Sequence, residues 1–323
     1  MTVSKAREDL VEIPGNPKPK DITSGSVETV DRVAIRFALA PSRLVRTRGT
    51  VIILQGRNET IEKYFETIED LTERGYGVAT FDWRGQGGSQ RVTRNPKKGH
   101  VASFKAYARD LEAVFRDVVL PDCRGPYAIL AHSMGATVAL VGSPMLINRV
   151  ERIVASAPLV SLPGVRPRTT PLFLAASALR WTGMGGVPVR NQTRASAAYT
   201  LSRNPLTSDA ERFERNRALA AAAPELFVGG PTAGWLAAAT GAMRRLEDSD
   251  TISRFHIPTL IVTAGNDEVV SSAAAERLAW RMRSGHSLTL PGARHELLQE
   301  ADRFRAPFIA AFDAFAGGAM PLN

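Results

Sequence analysis

Cysteine is almost missing from this chain: Cys123 stands alone among 323 residues, so no intramolecular disulfide forms. Histidine is scarce as well, with five copies, and none sits in a cluster of Cys or His at metal-ligand spacing. The stretch HELLQ, from His295, begins as a zincin helix would, but Gln299 stands where the second His belongs. GQGGS, from Gly85, lacks the lysine and the spacing of a phosphate-binding P-loop. No metal and no cofactor are therefore expected.

Long apolar runs are missing too. No stretch approaches the roughly 18 consecutive apolar residues that would cross a bilayer. The N-terminal MTVSKAREDLVEIPGNPKPKDI places acids and prolines where a signal peptide needs an apolar core, so the expected location is the cytoplasm. Acidic residues are outnumbered, leaving a net charge of +9. Arginine is spread along the chain rather than packed into a block, and no zinc finger or RNA-binding aromatic motif accompanies it, so nucleic acid is not an expected partner. The association the charge favours is peripheral, with the anionic inner face of a membrane.

What is present reads as a globular protein, 44% hydrophobic and 23% charged. Residues 1–26 look like a poorly anchored, Pro-rich lead-in. After them VETVDRVAIRFALAP alternates as a strand pair does, and TVIILQG, VATFDW, YAILAHS, RIVASAP and IPTLIVTAG are short apolar runs of the kind buried in a parallel sheet. Between them lie helical stripes: Ile61, Tyr64, Phe65, Ile68 and Leu71, then Phe104, Tyr107, Leu111, Val114, Phe115 and Val118. A helix is expected from about Ser271 and a last one from about Leu297. This alternation predicts an α/β fold with a mostly parallel central sheet flanked by helices. The pattern lapses over 159–253, which predicts an inserted helical cap on a core formed by 27–158 and 254–323.

Ligands of an open parallel sheet bind beyond the carboxyl ends of its strands. Three residues fall there in the order nucleophile, acid, base. Ser133 follows the strand YAILAH and precedes a helix, within A-H-S-M-G, a nucleophile elbow with Ala131 in place of the usual first glycine. Asp267 follows the strand after the cap, and His295 follows the last strand. A serine hydroxyl needs such an oriented base to act as a nucleophile. Glu268 competes with Asp267 for the acid role; His132, adjacent to the serine on a sharp turn, reads as a packing residue. The amides of Met134 and Arg57 are the expected oxyanion donors. The Arg57 guanidinium is a separate matter: at a pocket mouth it suits a phosphate, the alternative being a surface salt bridge.

LQGRNETIEKY, FDWRGQGGSQR, GHVASFKAYARDL, AHSMGA, NPLTSDAERF, GGPTAGWL and RHELLQE together resemble the α/β-hydrolase superfamily, and within it the lysophospholipase L2 and monoacylglycerol lipase-like group. The resemblance runs over nearly the whole chain from about Val27. It implies an α/β-hydrolase fold, a Ser133, Asp267 and His295 triad, and a small-molecule acyl ester substrate, a lysophospholipid or monoacylglycerol. Gln55, where monoacylglycerol lipases carry His, tilts the expectation toward lysophospholipids. The D-x-R-G-x-G-x-S loop reads as a structural brace. Alternatives are a small-ester carboxylesterase and a non-catalytic ligand receptor on the same fold. The apolar stretch Pro171 to Trp181, with Trp235 and Leu236, is the expected acyl-binding wall, the alternative being that these residues only hold the cap onto the core.

Overall fold

The computed structural model describes residues 3–4, 10–164, 170–182, 184–188 and 200–317. Its centre is a nine-stranded sheet: β1 Val3–Ser4, β2 Thr23–Glu28, β3 Ala34–Ala40, β4 Thr50–Leu54, β5 Gly77–Phe81, β6 Tyr127–His132, β7 Arg152–Ser156, β8 Thr259–Ala264 and β9 Gly285–Leu290. The spatial order is β1-β2-β3-β5-β4-β6-β7-β8-β9. The first three pairings are antiparallel and the remaining five parallel. Sequence pattern explains the division. β2 alternates exposed and buried residues, as a strand with one wet face does, whereas every residue of β4 and β8 is buried.

Side-chain alternation sorts the core into two layers. On one face Ile52, Leu54, Ile129 and Ala155 pack with α2 (Phe104–Val114) and α3 (Ser133–Val141). On the other Val51, Ile53, Leu130 and Val262 pack with α1 (Phe65–Glu73) and the C-terminal Asp302–Gly317 helix. Each fully buried Val, Leu or Ile side chain among these contributes about 1.5–3 kcal/mol. A slip of one residue in any central strand would exchange the two layers.

Between β7 and β8 the described chain is helical: α4 (Thr170–Trp181), α5 (Ala210–Ala222) and α6 (Ala233–Glu247). α6 is not a detached lid. Its AGWLAAATGAM sequence presents small residues, and Trp235, Ala239, Ala242 and Met243 join the same buried cluster as Ile52 and Met134. α5 is sewn to the core by polar contacts: Arg212 pairs with Glu66 and with Asp302, and Ser208 Oγ donates to Glu300 at 2.5 Å.

Two local expectations change. The lead-in is anchored over part of its length: Leu10 and Ile13 are buried, and buried Asn16 donates to the Glu62 carbonyl at 2.9 Å. The last helix begins at Asp302, not near Leu297. Leu297–Gln299 is a single 3-10 turn, and the Glu300 carboxylate ends it by accepting from the Arg294 and Ala301 amides.

Candidate active site

Strand register brings the carboxyl ends together: Leu54 lies beside Ala131, and His132 beside Ser156. At the end of β6 the chain turns into α3 within one residue, and Ser133 takes φ of +49°, a left-handed conformation that L-residues adopt only under constraint. Gly135 makes the turn possible, because a Cβ there would lie 2.4 Å from the Leu54 carbonyl oxygen and 2.5 Å from that of Gln55. Ala131, fully buried, fits without a glycine.

His295 Nε2 lies 3.1 Å from Ser133 Oγ, and its Nδ1 lies 2.8 Å from Asp267 Oδ2. The aspartate contact assigns the ring proton to Nδ1, leaving Nε2 to accept from the serine hydroxyl. Asp267 Oδ1 accepts from the Val269 and Val270 amides at 2.8 and 2.9 Å. Burial raises the Asp267 pKa, but the bonds from His295 and these amides outweigh it and hold the carboxyl below its ordinary value. Glu268 is exposed, and the carboxylate bonded to His295 is that of Asp267. All three side chains are almost closed to solvent, where a serine, imidazole and carboxylate in line are suited to nucleophilic attack with proton transfer.

The turn after β4 carries Gly56 and Arg57 beside the elbow. The Gly56 amide donates to the Glu59 carboxylate, and a Cβ on Gly56 would come within 3.0 Å of the His132 ring. Gln86 Oε1 accepts from the Asn58 amide at 2.5 Å and its Nε2 donates to Tyr107 Oη at 3.2 Å, so the D-x-R-G-x-G-x-S loop braces this turn. The loop is itself held by ion pairs: buried Arg36 with Asp82 and Glu62, and Arg84 with buried Asp110 and with the more exposed Asp31.

Sequence reasoning missed a charged cluster behind His295. Lys63 bonds Glu59 at 2.8 Å and Glu296 at 2.6 Å; Tyr64 Oη donates to Glu59 at 2.6 Å. His132 packs with its ring centroid 4.8 Å from that of His295, and burial lowers its pKa to about 4. These residues lie inside three of the quoted motifs, LQGRNETIEKY, AHSMGA and RHELLQE, which was the available signal.

The expected acyl wall divides. Trp235 is buried against Phe104, with ring centroids 6.1 Å apart, and lies under the Arg57 guanidinium at 5.2 Å. Leu236 is half-buried next to it. Trp181 differs from expectation: at the end of α4 its side chain is 89% exposed, so it walls no enclosed pocket in this conformation. Among the described residues no group of His, Cys, Asp and Glu could hold a metal ion, and no helix is long and apolar enough to cross a membrane.

A strained serine elbow on a mostly parallel sheet, with acid and histidine at later strand ends, defines an α/β-hydrolase. The family model described as serine aminopeptidase, S33, matches residues 45–302, and the chain belongs to that family. Lysophospholipase L2 of Escherichia coli strain K12 is 32% identical over 299 residues, covering 85% of this chain and 84% of its own. Probable lysophospholipase L2 of Haemophilus influenzae is 28% identical over 284 residues, 88% of each chain. Two solved structures share the fold: a soluble variant of monoglyceride lipase from Saccharomyces cerevisiae in complex with a substrate analog (20% identity, TM-score 0.71, 91% of this chain and 95% of that one), and a highly thermostable carboxyl esterase from Bacillus coagulans (19%, 0.74, 92% and 98%). The family match and these relatives place the chain with the lysophospholipase L2 proteins and class it as a carboxylic ester hydrolase.

Proposed function

We propose that this protein hydrolyses the acyl ester of lysophospholipids or monoacylglycerols through an acyl-enzyme. The observation that carries the reading is the hydrogen-bonded line from Ser133 through His295 to Asp267. Ser133 Oγ attacks the ester carbonyl carbon as its proton passes to His295 Nε2, and the resulting imidazolium is stabilised by Asp267. The carbonyl oxygen gains negative charge, which the Met134 and Arg57 amides are assigned to stabilise. Collapse breaks the bond to the glycerol oxygen, which takes the proton from His295. Water, deprotonated by the same imidazole, then releases the fatty acid and restores Ser133. Trp235 and Leu236 are assigned to the acyl chain, and Trp181 to the lipid phase from which the substrate arrives. The basic surface is assigned to peripheral contact with anionic lipid.

A fluorophosphonate should label wild type at Ser133 and leave Ser133→Ala unlabelled. A p-nitrophenyl ester series from acetyl to lauroyl, kept below micelle-forming concentrations, tests the substrate class. A buried methylene is worth about 0.8 kcal/mol, so kcat/KM should rise up to about fourfold per carbon until the pocket is full. A peak at acetyl with a steady fall would replace the lipid reading by a small-ester carboxylesterase.

A further inference from the structure

Arg57 is half-buried, and it differs from the fully buried cations of this protein. Arg36, Lys63 and Arg84 each bond two carboxylates, but Arg57 makes no ion pair among the described residues. Its guanidinium donates to the Gly229 carbonyl at 2.5 Å, lies 5.2 Å from the centre of the Trp235 ring, and leaves Nε without a hydrogen-bond acceptor. Burial lowers its pKa to about 10. A carbonyl and a ring face compensate only part of the cost of enclosing a full charge.

The guanidinium packs against Gly99, in the loop that lines a second feature. A Cβ on Gly99 would lie 2.2 Å from Arg57 Nη2, and Gly99 runs between Lys98 and His100. Those two residues, with Arg94 and Asn95, face Gly185 and Gly186 of the cap across a cleft of about 400 Å³. Its lining contains basic residues and no acidic one, and Lys98 and Arg94 make no ion pair among the described residues. A Cβ on Gly186 would sit 3.5 Å from Lys98 Nζ, so the ammonium stands at the cleft wall.

The amide of Arg57 is thus assigned to the ester, while its guanidinium packs against Gly99, between two residues that line the cationic cleft. We propose that Arg57 and Lys98 form the subsite for the phosphate of the substrate headgroup, selecting lysophospholipids over neutral monoacylglycerols. The inference rests on the lipid-ester reading of the site. In a lysophospholipid the phosphate follows the acylated glycerol, so an anion receptor built on the turn that faces the ester is placed to reach it. Guanidinium and ammonium suit a phosphate oxygen by charge-assisted hydrogen bonding, and a neutral glycerol hydroxyl gains much less.

The test is the ratio of kcat/KM on lauroyl-lysophosphatidylcholine to that on monolaurin, at fixed ionic strength, for wild type, Arg57→Met and Lys98→Gln. The ratio should fall by roughly ten- to a hundredfold in Arg57→Met and several-fold in Lys98→Gln. Calorimetric titration with inorganic phosphate supplies a readout independent of turnover: wild type should bind and Arg57→Met should not. Phosphate binding with an unchanged ratio in both variants overturns the headgroup assignment in favour of a free-phosphate site; no phosphate binding by wild type overturns the subsite itself. If neither lipid is turned over, the lipid-ester reading fails, while the titration still decides whether the anion site exists. Should Arg57→Met fail to fold, the double variant Arg94→Gln with Lys98→Gln carries the same comparison.

Discussion

The Lys63 ammonium donates to the Glu296 carboxylate at 2.6 Å, closed to solvent, and thereby ties the loop of His295 to the turn of Arg57. The second bond of Lys63, to Glu59, completes the link, because Glu59 also accepts from the Gly56 amide. Burial opposes the charge on Lys63, but Glu296 and Glu59 outweigh it and hold its pKa above the ordinary value. Two loops distant in sequence are joined by one cation.

Lys63→Met should therefore leave the buried Glu59 and Glu296 carboxylates without their shared cation, Glu59 keeping only its bonds from the Gly56 amide and Tyr64 Oη. Removing one member of a buried pair costs about 3–5 kcal/mol. The urea midpoint should fall accordingly, and Lys63→Arg should recover part of the loss. A Lys63→Met midpoint within error of wild type would show the link to be energetically idle.

The same cluster sets an acid limit on stability. Burial raises the Glu59 pKa, but Lys63, His132 and Tyr64 outweigh it and bring it from 4.5 to about 2; its contribution is present above 4.5 and is lost as pH falls toward 2. His132 is also depressed, from 6.5 to about 4, because burial disfavours its charged form. The unfolded chain takes up that proton first, so stability declines as pH falls from 6.5 toward 4. Urea unfolding at pH 7 and pH 4.5 should differ by on the order of 2–3 kcal/mol from His132 alone. His132→Asn should flatten that interval, and an equal slope in the variant would assign it elsewhere.

Ser133→Ala and His295→Ala should each lower ester turnover by several orders of magnitude while the urea midpoint stays near that of wild type, since members of such a unit act together. Asp267→Asn should cost about four orders through the wrong imidazole tautomer. Glu268→Gln, altering an exposed side chain, should leave kcat/KM unchanged. Reversal of the last two would move the acid role to Glu268.

Much of this architecture was legible because it is periodic. Apolar runs marked the parallel strands, and the small residues Ala131 and Gly135 framed the elbow in AHSMGA. Asp267 and His295 were readable from their places after strands. Buried charge was not. Glu59, Glu62 and Lys63 sit beside the apolar stripe of Ile61, Tyr64 and Phe65, and a hydrophobic pattern assigns such residues to solvent; only partners as distant as Arg36 and Glu296 take them inside. Trp181 shows the converse. Its apolar side chain suggested a wall, yet α4 ends with the indole in water. α6 falls within the expected cap insertion, and its alanine-rich face packs it directly onto α2 and α3.

That exposed indole has a consequence at a lipid surface. Trp181 at 89% exposure, with Leu174 at 58% and Val187 at 51%, leaves apolar area on the cap hydrated at about 25 cal/mol per Å². An indole gains at the boundary between headgroups and acyl chains, where its ring is buried and its N–H stays wet. The net charge of +9 adds attraction to anionic lipid, screened over about 8 Å at physiological ionic strength. Co-sedimentation should therefore be stronger with phosphatidylglycerol-containing vesicles than with neutral ones, and should weaken with added salt. Trp181→Ser should reduce partitioning onto both vesicle types without shifting the urea midpoint, because so exposed a ring has little packing to lose. Equal partitioning of wild type onto neutral and anionic vesicles would discard the charge term, and an unchanged Trp181→Ser would discard the indole. If both survive, substrate capture begins at the membrane surface, and kcat/KM for vesicle-borne lysophospholipid should fall in Trp181→Ser while that for acetyl ester in solution does not.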